Sequence, residues 1–259
     1  MRTLEGKTVW VTGAAGGIGA PLVRLLAARG ADVTAIDRVE ADAPNFVVDL
    51  ADEDALGGLC GMLRTLPPDV FVNLAGVMVF GPLAAADPAQ IAACYRLNLV
   101  VPALLAQAAA QGMQRRGSGR IVNVGSMLGA IPYPWFAAYS SGKAGLAALS
   151  QALRRELAGT GVEVTHVAPR AAKTPFNTGP VERFLAATGM SADAPEAVAR
   201  RITTAICRGE RDVGIGAMER VYAVLNALAP GLIDRGLAGQ MAAARLAFPE
   251  FDTRREDTP

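Results

Sequence analysis

One short turn limits most strongly what this chain can fold into. Residues 12–19 read Thr-Gly-Ala-Ala-Gly-Gly-Ile-Gly, directly after an apolar run and directly before a helical pattern. Glycines at 13, 17 and 19 let the backbone bend sharply and let another group approach it closely. A strand that ends this way and feeds a helix opens a βαβ unit. The first N–H groups of that helix and its positive dipole end suit a pyrophosphate. The spacing is not G-x-G-x-x-G, so the turn alone also fits a tight connection without a ligand. Asp37 shifts the balance. It ends the second apolar run, eighteen residues past Gly19, where an acid binds the ribose hydroxyls of NAD. An acid there repels a 2′-phosphate, and Gly16 supplies no cation to offset it. Arg38 pulls the other way, since it can stack on adenine or reach a phosphate. NAD is the expected cofactor, with NADP second.

The rest of the chain repeats the strand–helix alternation. Strands are expected at 8–12, 32–36, 46–48, 70–74, 120–124, 162–167 and 212–215. Helical patterns are expected at 17–29, from about 53, and at 88–115, 139–158 and 195–208. The predicted fold is α/β: a Rossmann-like doubly wound parallel sheet of about seven strands, with helices on both faces and a helical C-terminal extension. No repeat or linker divides it, so residues 1–259 are read as one domain with a core of about 5–215. Two segments break the rhythm. Residues 171–194 mix Pro175, Gly179, Pro180 and Gly189 with Phe176, Phe184 and Leu185, the composition of a mobile lid. Residues 217–248 have apolar residues at helical spacing on both sides of Pro230-Gly231.

Chemistry concentrates at Tyr139-Ser-Ser-Gly-Lys143, with Ser126 thirteen positions upstream. A tyrosine and a lysine four apart share one helix face. The ammonium then stabilises the phenolate and lowers the tyrosine pKa toward a useful range. The remaining composition mostly excludes. The single histidine, His166, sits in an apolar run and reads as a strand or core residue, which leaves neither a His-based triad nor a metal cluster. Cys60, Cys94 and Cys207 are scattered, as buried thiols of a reducing compartment are. A net charge of +1 without a basic block argues against nucleic acid. The opening residues lack the apolar core of a signal peptide, and no uninterrupted apolar stretch is long enough to span a bilayer. Cytoplasm is the expected location.

Taken in order, these motifs resemble the short-chain dehydrogenase/reductase family over about residues 5–215. The turn resembles Thr-Gly-x-x-x-Gly-x-Gly, placing Gly13, Gly17, Ile18 and Gly19 at the cofactor. Asp49-Leu50 resembles the pair that holds adenine, and Asn73-Leu74-Ala75-Gly76 resembles Asn-Asn-Ala-Gly after the fourth strand. Leu97-Asn98-Leu99 resembles the segment with the active-site asparagine. Ile121–Ser126 resembles the strand that ends in the catalytic serine, and Tyr139 and Lys143 the catalytic pair. The resemblance implies hydride transfer between a nicotinamide and a secondary alcohol or ketone, with Tyr139 as general acid/base. Lys143 would also bind the nicotinamide ribose, Ser126 would orient the substrate oxygen, and Asn98 would hold a relay water. Pro169 and Thr174 would touch the nicotinamide end. Arg170 stands where the family has glycine. It is expected at solvent or paired with an acid, or else as a clamp for an anionic group.

The segment 128–136 is apolar and aromatic. With Met78, Val79, Phe80, Phe176 and Phe184 it predicts a pocket for a hydrophobic alcohol or ketone. An NADPH-dependent biosynthetic ketoreductase is the second reading. A dinucleotide-binding sensor without chemistry is the third, disfavoured by the intact set Asn98, Ser126, Tyr139 and Lys143. Small faces at 103–110 and 144–153 suit close helix packing, and the resemblance implies a homodimer or homotetramer through them. The tail reads first as core or subunit interface, then as a flap over substrate, and last as a membrane-surface contact.

Overall fold

The computed structural model describes residues 3–41, 43–177 and 179–251. Seven strands form one sheet: β1 (Thr8–Thr12), β2 (Asp32–Asp37), β3 (Asn45–Val47), β4 (Val70–Asn73), β5 (Gly119–Val124), β6 (Val162–Ala168) and β7 (Asp212–Gly214). All neighbours pair in parallel, in the order β3-β2-β1-β4-β5-β6-β7. The chain winds outward from β1 to β3, then crosses back to β4. Between β1 and β4 the winding reverses, and this opens a crevice at the carboxyl ends of the strands. Central strands carry uninterrupted apolar runs because both faces of the sheet are covered. Val9, Val11, Phe71, Val72, Ile121 and Val122 have no exposed surface.

Helices α1 (Gly19–Ala27) and α7 (Pro195–Arg208) cover one face, with Leu22, Leu26, Ile202 and Ile206 in its core. On the other face lie α2 (Glu53–Thr65) and α4 (Val101–Arg116), with Leu59, Leu63, Leu105 and Met113. A Cβ at Gly112 of α4 would stand 2.4 Å from the Leu63 carbonyl oxygen of α2. Part of the small-residue face expected at a subunit contact is therefore used inside the chain, where Ala106, Ala108, Ala109 and Ala110 are buried.

The helical region expected at 88–115 is α3 (Pro88–Tyr95), a π-turn (Arg96–Val100) and then α4. Pro102 has no N–H for the Asn98 carbonyl, and the Val101 N–H bonds instead to the Arg96 carbonyl. The widened turn carries Asn98 into the interior. By length and composition the whole run Pro88–Arg116 could cross a membrane, against the expectation that no apolar stretch is long enough. In this fold α4 packs against α2 and the sheet.

The lid segment is partly regular. Ala172 bridges to Asp193, and α6 (Gly179–Thr188) buries Val181 and Phe184. The tail forms α8 (Ala217–Leu228) and α9 (Pro230–Ala247), with the break at Ala229 and Pro230 opening α9. Met241 and Ala244 of α9 join Phe136, Phe184 and Phe248 in an aromatic cluster beside the start of α5 (Ala137–Glu156). Helix α8 buries none of its residues and leaves Met218, Val221, Val224 and Leu228 exposed.

His166 on β6 is buried, with Nδ1 3.7 Å from Asp212. A Cβ at Gly125 would stand 2.3 Å from its Nε2. Burial, more than the opposing pull of Asp212, holds its pKa down to about 4. The unfolded chain thus binds a proton that the folded chain refuses between about pH 6.5 and 4, so His166 stabilises fully above that window and its contribution is lost as pH falls through it. The difference is of order 3 kcal/mol. Urea unfolding at pH 7.5 and 4.5 should show a larger loss for the native chain than for His166→Asn.

Candidate active site

Ser126, Tyr139 and Lys143 meet at the carboxyl edge of the sheet. Ser126 follows β5, and its Oγ accepts from the Leu128 N–H at 3.1 Å. Helix α5 carries Tyr139 and Lys143 one turn apart, both buried. The Ser126 hydroxyl stands close enough to that of Tyr139 to draw the phenol's pKa down. Lys143 Nζ donates to the Val124 carbonyl at 3.1 Å and lies 5.9 Å from the centre of the Tyr139 ring.

The electrostatics differ from the expectation that Lys143 draws the Tyr139 pKa down. Burial dominates both groups. The phenol is pushed up to about 12, with only the Ser126 hydroxyl opposing, and the ammonium is pulled down to about 8. In this structure Tyr139 is a neutral phenol at physiological pH.

Asn98 lies behind these groups rather than on the cavity wall. Its Nδ2 donates to the carbonyls of Val77 (2.7 Å) and Cys94 (2.9 Å), and Cys94 Sγ is 3.3 Å away. Its buried Oδ1 has no protein partner. A Cβ at Gly76 would stand 2.5 Å from that oxygen and 3.5 Å from Lys143 Nζ, so a small polar bridge between the two groups is all that fits there.

One cavity of about 1040 Å³ runs from the glycine turn to the C-terminal helices. Every predicted cofactor residue lines it except Asn73: Gly13, Gly17, Ile18, Gly19, Asp37, Arg38, Asp49, Leu50, Ala75, Gly76, Tyr139, Lys143, Pro169 and Thr174. Asn73 corrects the expectation. Its side chain points into the sheet–helix layer and donates to Asn123 Oδ1 (2.9 Å) and the Pro102 carbonyl (3.2 Å). Asn123 in turn donates to Ser150. Asn73 ties the fourth and fifth strands to their helices and makes no wall of the cavity.

The remaining lining fits a dinucleotide. Gly13 has φ of 70°, and a Cβ there would stand 2.8 Å from the Ala75 backbone. At Gly17 it would meet Thr174 at 2.5 Å. No side chain caps α1, and its first turn holds no acid, so its N–H groups stay available to phosphate. Asp37 accepts from the Ala15 N–H (3.0 Å) and the Arg38 N–H (2.7 Å), which fixes the carboxylate at the adenosine end.

Of the expected substrate wall, Met78, Leu128, Ile131, Tyr133, Phe136 and Phe176 line the cavity. Val79, Phe80, Trp135 and Phe184 do not. The last three pack in the aromatic cluster, with Phe80 5.5 Å from Phe184 and 5.9 Å from Trp135 between ring centres. Residues from the tail, among them Tyr222, Leu225, Leu237 and Gln240, complete the wall. Their helical apolar spacing was visible, but nothing local showed which helix face would meet the cavity. Arg170 takes the paired reading and excludes the anion clamp. It binds Asp193 through two bonds (2.6 and 2.9 Å) and Glu219 at 3.1 Å. These carboxylates hold its pKa above the usual arginine range.

The family model for short chain dehydrogenases matches residues 7–183. The chain belongs to that family, whose members act on CH–OH and C=O groups of small molecules with NAD(P) and are typically oligomeric. It is 29% identical to the ketoacyl reductase HetN of Nostoc sp. strain PCC 7120, over 91% of this chain and 89% of that one. A bulky-bulky ketone specific alcohol dehydrogenase from Comamonas testosteroni superposes with a TM-score of 0.73 at 25% identity, covering 88% of this chain and 94% of its own. An NADP-bound structure from Beutenbergia cavernae, with low cofactor occupancy, gives 0.73 at 28% identity, covering 82% and 96%.

Gly19 tests the cradle. A Cβ there would stand 2.0 Å from the Gly13 carbonyl oxygen, which forces the turn open. Gly19→Val should weaken dinucleotide binding by about tenfold or more, read as loss of the ligand-induced rise in melting temperature.

Proposed function

We propose that the protein interconverts a lipophilic secondary alcohol and its ketone, with Tyr139 as general acid/base and reduction as the readier direction at neutral pH. One observation carries this reading: a phenol kept protonated by burial stands beside Ser126 on the wall of a largely apolar cavity. A protonated phenol is a donor to a carbonyl oxygen as it gains negative charge.

In this reading Ser126 holds the substrate oxygen and Tyr139 delivers the proton. Lys143, pulled down to about 8, restores it near neutral pH. Asn98 Oδ1 fixes the polar bridge through which protons return to Lys143. Gly13, Gly17, Ile18 and Gly19 would hold the pyrophosphate. Asp37, Arg38, Asp49 and Leu50 would hold the adenosine, and Ala75, Gly76, Pro169, Thr174 and Lys143 the nicotinamide half. When bound, the dinucleotide supplies or accepts the hydride. Ketoacyl reductases among the relatives support the reductive direction.

The expected preference for NAD rests on Asp37 alone. Arg38 lines the same end of the cavity, and the Beutenbergia relative holds NADP. NADP is at least as well supported. The reading also takes the chain as a homo-oligomer through α4 and α5, where Tyr95, Val100 and Leu104 remain exposed. Three buried free thiols suit a reducing compartment such as the cytoplasm.

Three measurements test this. Melting curves with NAD+, NADH, NADP+ and NADPH should show binding of one pair, and Asp37→Ala should raise the NADPH shift relative to the NADH shift. Ketone reduction should hold level up to about pH 8 and fall above it, as Lys143 loses its proton while Tyr139 keeps its own. Tyr139→Phe should keep the dinucleotide shift and lose at least about 100-fold in turnover. Near-native turnover in that variant would remove Tyr139 from the chemistry.

A further inference from the structure

Beyond the dinucleotide crevice and the catalytic groups, the cavity passes between the aromatic wall and the C-terminal helices. Its charged side chains there, among the described residues, are Arg170 and Glu219; Arg170 pairs with Glu219 and also with Asp193. That stretch offers an ionic group no free countercharge. Asn177 Nδ2 donates to the Ala172 carbonyl at 2.5 Å, which turns that amide toward the backbone. One polar cluster remains. The Tyr133 hydroxyl hydrogen-bonds Gln240 of α9, and Tyr222 of α8 stands near enough to raise the Tyr133 pKa further, after burial. All three side chains line the cavity. Two phenols and a carboxamide offer uncharged donors and acceptors within an otherwise apolar wall. That chemistry recognises a neutral oxygen.

We infer that Tyr133, Gln240 and Tyr222 form a distal anchor for a second, uncharged oxygen function of the substrate. The substrate class is then an elongated lipophilic ketone or alcohol carrying a remote hydroxyl or carbonyl. This rests on the oxidoreductase reading above and adds a specificity determinant to it. The competing role is a structural strap: the Tyr133–Gln240 bond fastens α9 to the segment before α5. A strap would change stability, and rates with all substrates alike, and would leave substrate ranking untouched.

The test uses the full chain with its preferred reduced cofactor. Methyl ketones of graded chain length are compared in three forms: unsubstituted, with a terminal hydroxyl, and with a terminal carboxylate. At one or two lengths the hydroxyl form should exceed the unsubstituted ketone in kcat/KM by about tenfold, the scale of one net hydrogen bond in a dry site. The carboxylate should gain nothing. Gln240→Leu should bring the hydroxyl/unsubstituted ratio to about one, and Tyr133→Phe should do the same; a dinucleotide melting shift shows that each variant is folded. A flat ratio at every length in the native protein overturns the anchor, as does a ratio that survives both substitutions, or a preference for the carboxylate. Turnover of unsubstituted ketones with a flat ratio sinks the anchor alone. No turnover of any ketone with either cofactor sinks the oxidoreductase reading as well.

Discussion

The close approach of two backbones at the carboxyl ends of β1 and β4 is the constraint on which the rest depends. Gly13 takes a left-handed φ of 70° and packs where a Cβ would overlap the Ala75 backbone. Its N–H donates to the Ile36 carbonyl at 2.9 Å. Thr12 completes the clamp: its hydroxyl accepts from the N–H groups of Leu74 (3.1 Å) and Ala75 (3.2 Å). This contact brings the cofactor turn, the Ala75-Gly76 edge and, through Gly76, the Asn98–Lys143 pair into one place. A side chain at position 13 would separate the glycine turn from that edge, and so from Asn98 and Lys143.

The second constraint is dryness. Tyr139 and Lys143 are each shifted by burial in the direction that favours the neutral form. A large aromatic cluster packs behind the cavity wall. Phe80 packs 5.0 Å from Phe136, which immediately precedes α5, and 5.6 Å from Phe248 after α9. Trp135 holds a left-handed φ of 69°, a conformation that costs an ordinary residue roughly 1–2 kcal/mol. Its edge contacts with Phe80, Phe248 and Phe251 are of a kind worth about 0.5–1.5 kcal/mol each, enough to offset that cost. The C-terminal helix therefore helps to set the start of α5 and, through it, the position of Tyr139.

Most of the sheet was legible from sequence because parallel strands buried on both faces leave continuous apolar runs. The predicted strands differ from the observed ones by a residue or so, as at Asn45–Val47. The meeting of Ser126, Tyr139 and Lys143 was legible for a different reason, since a tyrosine and a lysine one turn apart and the serine at a strand end are local patterns. Asn73 misled because its motif fixes position along the chain. Strand alternation then decides which face the side chain takes, and here it takes the helix layer. The pull of Lys143 on Tyr139 was not legible in spacing alone, because burial of both groups dominates their pKa values. The π-turn at Asn98 had a sequence cause in Pro102, but its outcome depends on where the following helix packs.

The least legible part is the substrate end, and Arg170 shows why. Its partners Asp193 and Glu219 lie 23 and 49 residues away, so no spacing rule connects them. Yet this ion cluster joins the end of β6 to the lid segment and to α8, whose own residues are not buried. A helix that contributes so little apolar burial needs polar ties to hold its position. Arg170 provides one, and Asn226 provides another by donating to the Ala130 carbonyl at 3.0 Å. Glycine at position 170 would leave α8 without the first tie. The arginine that departs from the family pattern therefore belongs with the C-terminal extension: the residue and the helix it anchors form one structural unit that lines one end of the cavity.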